Sequence, residues 1–292
     1  MATHDGRWPA GSPCWVEITV SDLARSRAFY AAVLGWQFED SGPDYGHYNN
    51  ALVGGRRVAG MSPPLEGVED WPKVWTTYLA TDDVEVTAEL AAGAGARVVM
   101  EPMDIAAFGR VGLWVDPAGA AFGAWESLEH NGFGVHDEHG AVSWVDLVTP
   151  DLRAAKSFYR GVFGYSFDDL SVPGIGYATF TPPGAAWPAG GVGDQVDGDV
   201  AGPRWCVTFA VDDVDAAVQR VLDAGGSAPA EPVDVESGRI VTVAGPDGEE
   251  FSLMTPSAGS EPEVGFAAGG AGDAGGAGDA GDAGDSGLSA PG

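Results

Sequence analysis

Residues 14–20 alternate apolar and polar positions with a period of two, the pattern of a strand with one buried face. Asp22 follows where a helix N-cap belongs. Phe29 with Val33, and Tyr30 with Leu34, are i,i+4 pairs on one helix face, and Gly35 stops that helix. Short strands are expected near 36–40, 45–53 and 56–61. A second unit then begins. It predicts a strand over 75–81, a helix capped by Asp83 that ends around Gly93 to Gly95, and strands near 97–101, 110–115 and 121–127. Asp116-Pro117-Ala118-Gly119 joins the last two strands, with Pro second and Gly fourth as a type I turn favours.

The whole pattern occurs twice. Trp15-Val16-Glu17-Ile18 returns as Trp144-Val145-Asp146-Leu147, 129 positions later, and Phe29-Tyr30 returns as Phe158-Tyr159 at the same offset. Trp75 to Pro102 matches Trp205 to Pro232 at an offset of 130, and Arg110 to Trp125 matches Arg239 to Met254 at 129. Offsets this constant describe a duplicated domain, not a solenoid, whose repeats run to about 20–50 residues. The expected organisation is a flexible leader (1–13), a first domain (14–128), a linker (129–141), a second domain (142–256) and a tail (257–292). The Gly/Ala/Asp-rich tail buries too little to offset its ordering entropy and is expected to be disordered.

Composition narrows the function. Fourteen basic residues face 43 acidic ones, for a net charge of -29, and Lys73 and Lys156 are the only lysines. A nucleic-acid binder needs phosphate-neutralising Lys and Arg, and this excess of acid argues against nucleic acid and anionic membrane surfaces as partners. No run of eighteen apolar residues predicts a membrane span, and the polar leader does not read as a secretory signal, so a cytoplasmic protein is expected. Cys14 and Cys206 do not occupy matched positions, and no disulfide is expected.

Ser21-Asp22-Leu23 and Pro150-Asp151-Leu152, the two Phe-Tyr pairs, Leu34-Gly35-Trp36 and Phe163-Gly164-Tyr165, the Asp-Asp-Val helix starts, and the Pro-x-Gly turns before the last strands together resemble the vicinal oxygen chelate superfamily. That group includes glyoxalases, extradiol dioxygenases, and bleomycin- and fosfomycin-resistance proteins. The resemblance implies an α+β fold: two tandem domains, each a pair of βαβββ modules curling into an open, cup-shaped sheet. It also implies metal ligands on first and closing strands. Carried across, those positions fall on Trp15, Thr76 and Gly123 in one copy and on Trp144, Cys206 and Ser252 in the other. Indole has no lone pair to give and glycine has no side chain. No metal and no other cofactor is therefore expected.

Residues two apart on a strand share a face, so Trp15 should enter the cup with Glu17, and Trp144 with Asp146. Glu17 and Asp146 are the candidate catalytic or ligand-orienting acids. Trp15, His47, Tyr48, Trp75, Tyr78, Trp125, Trp144, Tyr177 and Trp205 are the candidate ligand contacts, a set suited to stacking a flat hydrophobic molecule. His130, His136 and His139 read as a solvated linker tract. The leading expectation is a metal-independent protein that binds a small planar hydrophobic metabolite in antibiotic biosynthesis or resistance. The alternative is an isomerase, cyclase or oxygenation-assisting enzyme acting on a polyketide-like aromatic intermediate. A metal-dependent lyase or dioxygenase ranks below both. Tandem copies can supply within one chain the pairing that single domains obtain by dimerising, so a monomer is expected, with a dimer as the other option.

Overall fold

A computed structural model describes residues 2–64, 73–195 and 201–256; the predicted tail lies outside them. Two eight-stranded sheets form, one per copy. Across the first, the strands run Gln37–Asp40, Asn49–Val53, Arg56–Ser62, Pro13–Thr19, Thr76–Ala80, Ala121–Ser127, Gly109–Val115 and Arg97–Ile105. The second repeats that order with Ser166–Asp169, Tyr177–Thr181, Gly190–Asp194, Val142–Thr149, Arg204–Ala210, Glu250–Pro256, Gly238–Ala244 and Val233–Val235. In each sheet the two modules meet at one antiparallel seam, with Trp15 opposite Tyr78 in the first and Trp144 opposite Thr208 in the second.

Four helices cover one face of the sheets: Leu23–Leu34 (α1), Val84–Gly93 (α2), Leu152–Phe163 (α3) and Val214–Asp223 (α4). All four start as the sequence predicts. Asp22, Asp83, Asp151 and Asp213 each accept a first-turn backbone N–H. Gly35 and Gly164 end α1 and α3 with φ of 70° and 72°, left-handed conformations that cost glycine no steric clash. No helix among the described residues is long and apolar enough to cross a membrane. Cys14 and Cys206 are both free thiols.

The copies pack through their helix-covered faces, α1 against α4 and α2 against α3. Phe209 of the second sheet lies 5.3 Å edge-on from both Trp36 and Trp75. Each Phe-Tyr pair sends its tyrosine across this junction. The Tyr159 hydroxyl donates to Asp116 at 3.1 Å, and the Tyr30 hydroxyl donates to Glu249 at 2.8 Å. Asp116 opens its turn and also accepts from the backbone of Ala118, Gly119 and Ala120. In the other turn Gly245 holds that first position. The Glu249 side chain reaches back instead, accepts from the Asp247 N–H at 2.8 Å, and fills the space a Cβ on Gly245 would need. Burial raises the carboxyl pKa of both acids.

The leader and the linker are built differently from the loose segments expected of them. Ala2–Thr3 pairs antiparallel with Val135–His136. Trp8 stacks on His4 at 4.1 Å, meets Phe133 edge-on at 6.1 Å, and donates from Nε1 to the Phe133 carbonyl at 3.2 Å. Asp5 pairs with Arg56. Two large aromatics in otherwise polar segments supply the apolar area that holds the clasp. Trp8→Ala is expected to release the leader, and timed trypsin digestion should show faster cleavage after Arg7. Cleavage at the wild-type rate would mean that the strand pairing alone holds it.

Candidate functional site: two carboxylate cups

On each first strand, alternation turns Val16, Ile18, Val145 and Leu147 into the helix-side core and leaves Trp15 with Glu17, and Trp144 with Asp146, on the opposite, cup-forming face. The carboxylates there gather aromatic hydrogen-bond donors. In the first cup Trp15 Nε1 donates to the Tyr48 hydroxyl at 2.8 Å, and Tyr48 donates to Glu17 Oε2 at 3.1 Å. The Tyr78 hydroxyl donates to Glu17 Oε1. Glu17 and Tyr78 are diagonal neighbours across the module seam, and each lies beside a glycine of the neighbouring parallel strand, Gly60 and Gly123. Those glycines are required there. A Cβ on Gly60 would occupy the place of the Tyr48 hydroxyl, and one on Gly123 would enter the Tyr78 ring.

The second cup repeats the arrangement with fewer rings. Tyr177 donates to Asp146 Oδ1 at 2.8 Å, and Trp144 Nε1 reaches the same oxygen at 3.1 Å. Gly191 sits beside Asp146 in register, and a Cβ there would collide with both Tyr177 and Asp146. Asp146 is 3% exposed. Burial pushes its carboxyl up to about 7, against the opposing pull of the Tyr177 and Trp144 hydrogen bonds. Burial also raises Glu17, again opposed by its two tyrosines, although that side chain keeps partial exposure. The tyrosines are raised as well, by burial first and by the neighbouring carboxylate second.

Of the predicted contacts, Trp15, Tyr48, Tyr78, Trp144 and Tyr177 are brought to the carboxylates. Trp125 is also on the cup side, with Nε1 donating to the His130 carbonyl at 2.8 Å. Trp75 and Trp205 are not at the cups. Both lie 3% exposed at the junction between the copies, Trp75 5.7 Å edge-on to Tyr30 and Trp205 5.5 Å edge-on to Tyr159. They occupy the opposite strand parity to Tyr78 and Thr208, so they face the helices. His47 is also displaced from its predicted strand. It takes a left-handed φ of 57° after a short 3-10 turn, lies exposed, and pairs with Asp40 at 3.0 Å.

His130 is the residue that sequence reasoning missed. The sequence places it in a solvated linker, but it is half-buried, with its ring edge-on to Trp15 at 4.6 Å and to Trp125 at 5.7 Å. Its Nδ1 accepts from the Gly132 N–H at 3.0 Å. Burial, helped by the Arg57 charge, lowers its pKa to about 4, so the imidazole is neutral. Phe133 follows it against Trp15 at 5.8 Å. The one signal available was Phe133, a large apolar residue inside a polar, glycine-rich stretch.

The donors present do not fit a divalent metal. Such an ion needs several converging N or O ligands at about 2.0–2.2 Å. Each cup offers one carboxylate, Glu17 engaged by two phenols and Asp146 by a phenol and an indole, and the His130 Nδ1 lone pair is committed to backbone. Among the described residues, no group of three His, Cys, Asp or Glu side chains converges to hold an ion.

Comparison with known proteins gives concordant results. The family profile described as the glyoxalase/bleomycin resistance protein/dioxygenase superfamily matches residues 14–138 and again 141–253. The anthracycline biosynthesis protein DnrV of Streptomyces peucetius is 33% identical over 91% of this chain and 99% of its own length. The anthracycline biosynthesis protein DauV of Streptomyces sp. strain C5 is 33% identical over 85% of this chain and 94% of its own. Among solved structures, the Mn(II)-bound glyoxalase from Novosphingobium aromaticivorans superposes with a TM-score of 0.58. It is 18% identical, with 84% of this chain and 82% of that chain covered, a likeness of fold.

Proposed function

Because the chain belongs to the glyoxalase/bleomycin resistance protein/dioxygenase superfamily, we propose that it uses the superfamily's cup to bind a planar hydrophobic metabolite without a metal ion, in the biosynthesis of an antibiotic. The observation that carries this reading is the replacement of a chelating set by a carboxylate within a tryptophan–tyrosine wall, made twice by the same chain positions. Aromatic walls supply stacking and apolar burial, and a desolvated carboxylate fixes the orientation of a polar substituent. The two Streptomyces relatives, named for anthracycline biosynthesis, support a polycyclic aromatic as the ligand class.

Tryptophans in both cups make the test direct. Titrating the protein with anthracyclinones and other polycyclic aromatics is expected to quench Trp fluorescence saturably at micromolar concentrations. Absence of binding below millimolar across such a panel would sink the proposal.

Asp146 favours a second reading, in which the cup also catalyses. A buried carboxyl pushed up to about 7 is poised to exchange protons near neutrality. Isomerisation or cyclisation of an aromatic intermediate would use it as general base. On that reading Asp146→Asn lowers turnover far more than affinity, whereas a pure binding role changes affinity alone.

A further inference from the structure

The two cups differ at one point that a ligand can read. Glu17 has both oxygens taken, Oε1 by Tyr78 and Oε2 by Tyr48. In the second cup Tyr177 and Trp144 converge on one oxygen, Oδ1 of Asp146. No hydrogen-bond donor among the described residues reaches Oδ2. The copies differ here at three matched positions, Glu17 against Asp146, Tyr78 against Thr208 and Gly123 against Ser252. Tyr78 lies opposite Trp15 and beside Gly123, and Thr208 lies opposite Trp144 and beside Ser252. Thr208 therefore holds the place of Tyr78, and its side chain has no phenol to offer. Ser252, standing where Gly123 makes room for a ring, turns its hydroxyl toward Thr242 at 3.2 Å.

The second cup thus keeps the acceptor, the indole and the first phenol, and lacks the second phenol that completes the set in its twin. An acceptor that a bound molecule covers without giving it a donor costs about 1–3 kcal/mol. A molecule that brings a hydroxyl to that oxygen avoids this, and one that does not is disfavoured. We infer that the second cup binds a planar hydroxyaromatic whose phenolic hydroxyl donates to Oδ2 of Asp146, in the position that Tyr78 takes on Glu17 in the first cup. The first cup is then an internal image of the occupied second one. This assignment rests on the function proposed above and narrows it in two respects: the cup used and the group recognised.

The experiment compares 2-hydroxyanthraquinone with 2-methoxyanthraquinone on the full chain by calorimetric titration at pH 7.5, where the Asp146 carboxyl is mostly ionised and Oδ2 accepts. The pair shares its ring system, and only the first can donate. Wild-type protein is expected to bind the hydroxy compound at least about tenfold more tightly, the discrimination expected when a buried polar group is left unpaired. Asp146→Asn should collapse that gap. The double variant Thr208→Tyr/Ser252→Gly places a phenol opposite Trp144 beside a glycine, as in the first cup, and should lower affinity for the hydroxy compound by a similar factor. Circular dichroism checks its folding, and should it not fold, the Asp146→Asn comparison decides alone. Equal affinity for the two compounds, a gap that survives Asp146→Asn, or a folded double variant that binds like wild type would overturn the assignment while leaving aromatic binding intact. If neither compound binds and the wider aromatic panel is also inert, the proposed function falls and the assignment with it.

Discussion

Trp205→Ala is expected to lower the free energy of unfolding by about 3–5 kcal/mol, the range for truncating a large buried aromatic, with little direct effect on either cup. Trp205 is 3% exposed, sits edge-on to Tyr159, and donates from Nε1 to the Tyr159 hydroxyl at 3.1 Å. That hydroxyl in turn donates to Asp116 of the other copy. Removing the indole therefore opens a cavity at the junction and loosens the tyrosine that bridges the two halves. Urea unfolding followed by far-ultraviolet circular dichroism measures the loss. A variant as stable as wild type but impaired in ligand binding would return Trp205 to the cup and contradict the placement described above.

The second large effect is one of pH. Asp146 is raised from 3.8 to about 7 by burial, so between those values the folded chain holds a proton that the unfolded chain releases. The stability contributed by the protonated carboxyl is fully present below about pH 4. It is lost as pH rises toward about 7, and it is level above that. Asp146→Asn cannot titrate. The stability of wild type relative to this variant should fall by roughly 2–3 kcal/mol between pH 5 and pH 8. Glu17, Asp116 and Glu249 are raised in the same direction but are present in both proteins, so the difference isolates Asp146. Urea unfolding of the pair at the two pH values provides the check. A constant difference would show that Asp146 is ionised throughout and that its surroundings are more polar than Trp144 and Tyr177 make them.

Much of this is legible in the sequence. The 129-residue offset defined two domains because spacing survives where side chains drift, and the four aspartate caps lie where hydrophobic periodicity ends. Trp15 with Glu17, and Trp144 with Asp146, followed from the two-residue period of a strand. The errors have equally local causes. Trp75 and Tyr78 were both assigned to the cup although they are three positions apart, and odd spacing puts them on opposite faces. Trp205 repeated the mistake at the twin position. His47 was placed on a strand that begins only at Asn49, because Gly42 and Gly46 allow a tight turn that alternation alone does not announce. His130 was hidden because it is held by the long-range packing of Phe133, Trp15 and Trp125. Short-range pattern carries no record of such contacts.

The two tyrosine bridges bear on how the halves have diverged. Aligned column by column, the turn residues disagree: Asp116 faces Gly245, and Ala120 faces Glu249. Each mismatch looks like loss of an acid in one copy or the other. In space the carboxyl group is present in both, delivered by a short side chain from the front of one turn and by a longer one from the rear of its counterpart. What the two halves share at this junction is a carboxyl group that accepts from the tyrosine, and the residue that supplies it has been exchanged. Divergence counted by columns therefore overstates how far these two halves have moved apart.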